Sequence, residues 1–171
     1  MKLLLIDDNP GARPQSIQLA VELIQFQLED AGIDVDPIPE VICDNSPASI
    51  EEALKEEYGF IFLDWSFPRG PQGGEILNQI RRLGYQGPIL ILTVNYGQVF
   101  PILEPGKRAD GYFREGTYES FWDGQGIEAL ANTIKRLLIR AQIEEAPDRA
   151  PQINLTENLP SLPYYKDIEG M

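Results

Sequence analysis

Three carboxylates stand out for where the chain puts them. Asp7 and Asp8 close a short apolar run at 3–6, and Asp64 closes another at 60–63 that follows Gly59. Apolar runs of this length, bounded by turn residues, are too short for an ordinary helix and read as strands buried on both faces. Turn chemistry follows each: Asn9-Pro10-Gly11 after the first, and Pro68, Gly70, Pro71, Gly73 and Gly74 after the second. A buried strand that hands an acid to a loop places it at the carboxyl edge of a parallel sheet, where the ligand sites of open α/β sheets lie. A third apolar run, 88–92, ends on Thr93. Carboxylates gathered at one edge repel one another, and a hard divalent cation relieves that repulsion. Mg²⁺ is commonly held by one or two carboxylates, with water and phosphate oxygens completing its octahedron. A hydroxyl such as Thr93 can donate a hydrogen bond to a phosphoryl oxygen. The chemistry open to these residues is therefore Mg²⁺-assisted phosphoryl transfer, with one Asp as acceptor and the others as metal ligands.

The elements that would position these groups alternate along the chain. From Pro14, a favoured first-turn residue, Ile17, Ala20, Val21, Ile24, Leu28 and Ala31 recur at helical spacing. Gln18, Glu22, Gln25 and Glu29 take another face, and Gly32 stops the helix. Pro37 and Pro39 confine the next strand to about 40–43, with Cys43 as a buried strand residue. Ser46-Pro47 is a helix start, Ser46 as N-cap and Pro47 at the first helical position, with Ile50, Ala53, Leu54 and Tyr58 as the inner stripe. The strand ending at Asp64 follows, with Trp65 read as a partly exposed gate beside it. A third helix then carries Ile76, Leu77, Ile80 and Leu83 inward. After the strand at 88–92, residues 94–109 fall where a fourth helix is due, but Gly97, Pro101, Pro105 and Gly106 make it short or irregular. A last strand spans 111–114. After a long loop at 116–126, Ile127, Leu130, Ala131, Ile134, Leu137, Leu138 and Ala141 mark a closing helix.

Strand and helix thus alternate five times, which predicts an α/β fold: a doubly wound, five-stranded parallel (βα)₅ sheet with helices on both faces. Residues 1–145 read as one domain. From 146 to 171 the chain is punctuated by Pro147, Pro151, Pro160 and Pro163, yet it keeps Ile153, Leu155, Leu159, Leu162, Tyr164 and Tyr165. That is too apolar for a plain disordered tail, so an extended arm is expected, docking on its own domain or on a neighbouring subunit of a homodimer.

Composition narrows the chemistry. The chain has no His, which excludes Ser-His-Asp and Cys-His catalysis, His-based zinc sites and a phosphohistidine of its own. One Cys rules out an internal disulfide and fits a reducing compartment. A net charge of −13 argues against nucleic-acid and anionic-membrane partners. The opening apolar run is too short for a signal peptide or a membrane span, so a cytoplasmic protein is expected.

Taken together, Leu3-Leu4-Leu5-Ile6-Asp7-Asp8, the stretch from Asp64 to Pro68, Thr93 and Gly111-Tyr112-Phe113 resemble the receiver domain of two-component response regulators. The resemblance covers about residues 1–145 and includes the strand–helix order, which implies a flavodoxin-like receiver fold. It implies that Asp64 accepts a phosphoryl group from the phosphohistidine of a histidine kinase or phosphotransfer protein. It further implies that Asp7 and Asp8 hold Mg²⁺ with Asp64 and the Ser66 backbone carbonyl, and that Thr93 and Tyr112 report the state of the site. The chain departs from the family in two places. Glu115-Gly116 stands where the family has a Lys-Pro pair, whose Lys meets the acceptor carboxylate, and the nearest cation in sequence is Arg114. Val94 stands where the family has a small residue.

The expected protein is an atypical, stand-alone receiver of a phosphorelay, not an enzyme in the ordinary sense, with output through protein–protein contacts. The alternative is a phosphorylation-independent pseudo-receiver that keeps the fold as an interaction scaffold. A Mg²⁺-dependent phosphohydrolase is the remote third reading, since Ser66 replaces the second acid that haloacid-dehalogenase-type phosphatases carry two residues past the nucleophile.

Overall fold

Five strands, β1 (Leu3–Ile6), β2 (Glu40–Ile42), β3 (Phe60–Asp64), β4 (Ile89–Thr93) and β5 (Gly111–Arg114), form one sheet in the order β2-β1-β3-β4-β5. All four neighbouring pairs are parallel. The computed structural model describes residues 1–93, 109–114 and 124–145. Within them the helices are α1 (Arg13–Asp30), α2 (Pro47–Ala53), α3 (Gly73–Arg82) and α4 (Gly124–Glu145). This strand order is that of the flavodoxin-like doubly wound sheet, whose direction of winding reverses between β1 and β3.

Alternation along the strands divides the core in two. Leu3, Leu5, Phe60, Phe62, Leu90, Leu92 and Phe113 pack with the buried faces of α1 and α4. Leu4, Ile6, Ile61, Leu63, Ile89 and Ile91 pack with Ile50 of α2 and with Ile76, Leu77 and Ile80 of α3. The central strands are buried throughout because helices cover both faces, which is why they read as unbroken apolar runs. Each fully buried aliphatic or Phe side chain contributes about 1.5–3 kcal/mol relative to exposure.

Helix boundaries follow from local chemistry. Pro14 sits in the first turn of α1. At the other end, Gly32 takes φ 76°, its N–H donates to Glu29 O and Ile33 N–H donates to Leu28 O. That is a Schellman closure with its apolar residue folded back onto the helix. Ser46 caps α2 through the Ser49 N–H, with Pro47 in the first turn. The α1, α2 and α4 stripes lie inward as their spacing predicts, apart from half-buried Ala31, Ala53, Leu54, Ile127 and Ala141.

Three expectations are corrected. Leu83 is 43% exposed, because α3 ends one residue earlier in a second Schellman closure: Gly84 at φ 93° donates to Arg81 O, and Tyr85 N–H donates to Ile80 O. Tyr85 packs against the α2–α3 side of the core where Leu83 was expected. Cys43 is exposed, since the edge strand stops at Ile42. Trp65 is buried, because its side chain packs into the α2–α3 side of the core. The irregular fourth helix at 94–109, the loop and the 146–171 arm lie outside the described residues, apart from 109 and the 124–126 end of the loop, which belongs to α4.

Candidate functional site

Register brings the acids together. Ile6 pairs with Leu63 across β1 and β3, so the next row sets Asp7 beside Asp64. Both continue the alternation of Leu5 and Phe62 and therefore leave the sheet on the side of α1 and α4. The ladders carry on past the strand ends: Asp7 N–H donates to Ile42 O at 3.0 Å, and Trp65 N–H donates to Leu92 O at 3.2 Å. Both acids are thereby fixed at the carboxyl edge, on the two strands that flank the winding reversal.

Asp7 is wholly buried, Asp64 is 7% exposed and Asp8 is half-buried. One carboxylate oxygen from each lies within 4.8 Å of the others. Around an octahedral Mg²⁺ with ligands at about 2.1 Å, neighbouring oxygens stand about 3.0 Å apart and opposite ones about 4.2 Å. The donor set is all oxygen, two of its members are desolvated, and the three lie close enough together to share one hard cation, so the residues fit Mg²⁺.

The structure supplies a cation that the sequence reading missed. Arg13 pairs through Nη1 with Asp7 Oδ2, and its Nη2 lies 3.4 Å from Asp64 Oδ1. Gly11 at φ 50° and the Arg13 N–H to Pro10 O hydrogen bond turn the chain so that Arg13, the first residue of α1, points back at the strand ends. The sequence did carry a signal. A cation in the first turn of a helix opposes the helix dipole, and a broken local preference is a pointer to a site. Backbone donors complete the arrangement: Asn9 N–H donates to Asp7 Oδ1 at 2.8 Å, and Trp65 N–H to Asp64 Oδ1 at 2.9 Å.

The loop that follows Asp64 is tied down. Gln72 donates to Phe67 O at 2.8 Å and accepts from Phe67 N–H, while Glu75 accepts from Gln72 N–H. Asn45, from the loop after β2, donates to Arg69 O and Pro71 O. Gly73 N–H donates to Trp65 O at 3.2 Å, closing the turn at the start of α3.

No protein-family model matches the chain, and no curated protein matches it. Solved structures do share its architecture. A CheY-like response-regulator receiver domain from Methanospirillum hungatei is 20% identical over 84% of this chain and 97% of its own, with a TM-score of 0.55. The receiver domain of NtrX from Brucella abortus is 15% identical over 80% of this chain and 98% of its own, with a TM-score of 0.54. A two-component response regulator from Clostridium difficile is 21% identical over 82% and 97%, with a TM-score of 0.50. The fold is that of a receiver domain.

Within the receiver fold, the residues singled out from the sequence divide into two groups. Asp7, Asp8 and Asp64 come together as expected. Thr93 is buried at the end of β4, one residue past the Leu92 that pairs with Asp64, and so lies at the same edge. Tyr112 lies deeper in the sheet, paired with Ile91, half-buried and packed against the α2–α3 core. Ser66 is exposed in the turn. Glu115 and Val94 lie outside the described residues. No helix among the described residues is long and apolar enough to cross a membrane.

Proposed function

We propose that the chain is a receiver of two-component signalling, in which Asp64 accepts a phosphoryl group and Asp7, Asp8 and Asp64 hold Mg²⁺. The observation that carries this reading is the convergence of three carboxylates at the carboxyl edge of β1 and β3 in a receiver fold. The donor acts in trans, since the chain has no His of its own; a histidine kinase or phosphotransfer protein fits that role. In the transfer, an Asp64 carboxylate oxygen attacks phosphorus and the donor's P–N bond breaks with its electron pair returning to the imidazole. The product is an acyl phosphate on Asp64. Bound Mg²⁺ would supply charge neutralisation at the phosphoryl oxygens. The chain acts as substrate and signal carrier, not as an enzyme that turns over, and its output is contact with a partner protein. Thr93 and Tyr112 carry the change from the site to that surface.

The test is incubation with Mg²⁺ and a small acyl-phosphate donor, followed by intact-mass measurement. A gain of one phosphoryl group is expected, abolished by Asp64→Asn and by a chelator. A gain that persists in Asp64→Asn would reject Asp64 as the acceptor. One observation favours a second reading: Arg13 already supplies a positive charge to the pocket, as a phosphorylation-independent scaffold would require. Absence of any mass gain, with partner binding unaffected by Asp64→Asn, would establish that reading.

A further inference from the structure

We infer that Arg13 is a mobile counter-ion, held by Asp7 and Asp64 when the pocket lacks metal and handed to the phosphoryl group when Mg²⁺ takes Asp7. The inference rests on the reading of the pocket as a Mg²⁺ and phosphoryl site. Asp7 has both oxygens engaged, Oδ1 by the Asn9 N–H and Oδ2 by the Arg13 guanidinium. Asp64 Oδ1 accepts from Trp65 N–H and faces Arg13 Nη2. The guanidinium therefore lies across the oxygens a metal would need, and a divalent cation brought among them meets a like charge in a desolvated setting. Metal and guanidinium are alternative occupants of Asp7.

Displacement leaves Arg13 close to Asp64. Its side chain starts at the first helical residue of α1 and is 15% exposed, at the mouth of the pocket. A planar fork of N–H donors matches phosphoryl oxygens bidentately. Arg13 would thus provide positive charge beside the acceptor.

The test measures two affinities, that for Mg²⁺ alone and that for beryllofluoride at saturating Mg²⁺, by calorimetry on the full chain. Wild type is compared with Arg13→Gln and Arg13→Lys. If Arg13 occupies Asp7 for about nine-tenths of the time, Arg13→Gln tightens Mg²⁺ binding about tenfold while weakening beryllofluoride binding. Arg13→Lys, which keeps the charge but loses the fork, falls between the two for the phosphoryl mimic. Opposite signs in the two affinities are the signature, because damage to the fold weakens both. Weakening of both by Arg13→Gln, or no change in either, overturns the inference while the metal site stands. Failure of every variant and of wild type to bind Mg²⁺ overturns the site reading and the inference with it.

Discussion

Arg13 Nη2 lies 3.4 Å from Asp64 Oδ1 while Nη1 of the same guanidinium pairs with Asp7, so two buried acids on adjacent strands share one cation. A buried carboxylate is tolerated only when paired and hydrogen-bonded. Asp7 meets both conditions through residues of its own β1–α1 connection: the Asn9 N–H and the Arg13 side chain. The acids of the pocket are thus partly neutralised from within.

Removing that cation should be costly. Arg13→Ala leaves Asp7 buried without its partner and is expected to lower unfolding stability by about 3 kcal/mol in urea denaturation with chelator present. Mg²⁺ at ten times its dissociation constant should return about 1.4 kcal/mol by mass action. Asp8→Ala should abolish that recovery. Equal stability of Arg13→Ala and wild type in chelator would show that the ion pairs contribute nothing.

Gly73 sets the distance between α3 and the end of β3. A Cβ there would lie 2.8 Å from Trp65 Cα and 2.9 Å from Asp64 O, both backbone atoms with little room to shift. Gly73→Ala is therefore expected to cost about 2 kcal/mol as an overpacked contact and to weaken Mg²⁺ binding by displacing Asp64. Calorimetric melting and metal titration of the same variant check both effects.

Tyr58 holds a buried hydroxyl that makes no hydrogen bond of normal geometry, with the Glu40 carboxylate as its nearest acceptor. Burial raises its pKa far above the usual phenol value, and Glu40 raises it further, first by attracting the phenol proton and then by its charge. A group whose folded pKa is raised contributes stability that is complete below its unfolded pKa, about 10, and is lost as pH climbs toward the folded value. Tyr58→Phe should accordingly be neutral or up to about 1 kcal/mol stabilising at pH 7. Its stability should also fall less than that of wild type above pH 10. Denaturation midpoints across that range would check the sign.

The strands and most helices were legible because they rest on local signals: apolar runs cut by Gly, Pro and acids, and Ser46-Pro47 at a helix start. The Asp7–Asp8–Asp64 cluster was legible for the same reason, since each acid closes such a run. Arg13 was not, because its partnership depends on how the Pro10-Gly11 turn aims the start of α1. Nor was the burial of Trp65, which depends on packing with α2 and α3 side chains distant in sequence. Leu83 and Cys43 were misread by extending an element one residue past its true end, where a Schellman turn or an edge strand stops it.

The solvent face of α1 carries Leu19, Leu23 and Phe26, exposed by 50%, 57% and 80%, one helical turn apart from each other on the side away from the core. Leu23→Ser and Phe26→Ser are expected to change stability by no more than about 0.5 kcal/mol. Leu28→Ala, on the buried face, should cost about 2–5 kcal/mol. Urea midpoints of the three variants test whether the two faces differ in this way.

The central claim, that Asp64 at the end of β3 is a Mg²⁺-dependent phosphoryl acceptor, is tested most directly with beryllofluoride, which mimics an acyl phosphate. Trp65 adjoins Asp64 and is buried, so its fluorescence in a Trp122→Phe background reports on the site. The account predicts a beryllofluoride response that requires Mg²⁺ and disappears in Asp64→Asn. Silence to beryllofluoride in a protein that binds Mg²⁺, or a response that survives Asp64→Asn, would contradict it.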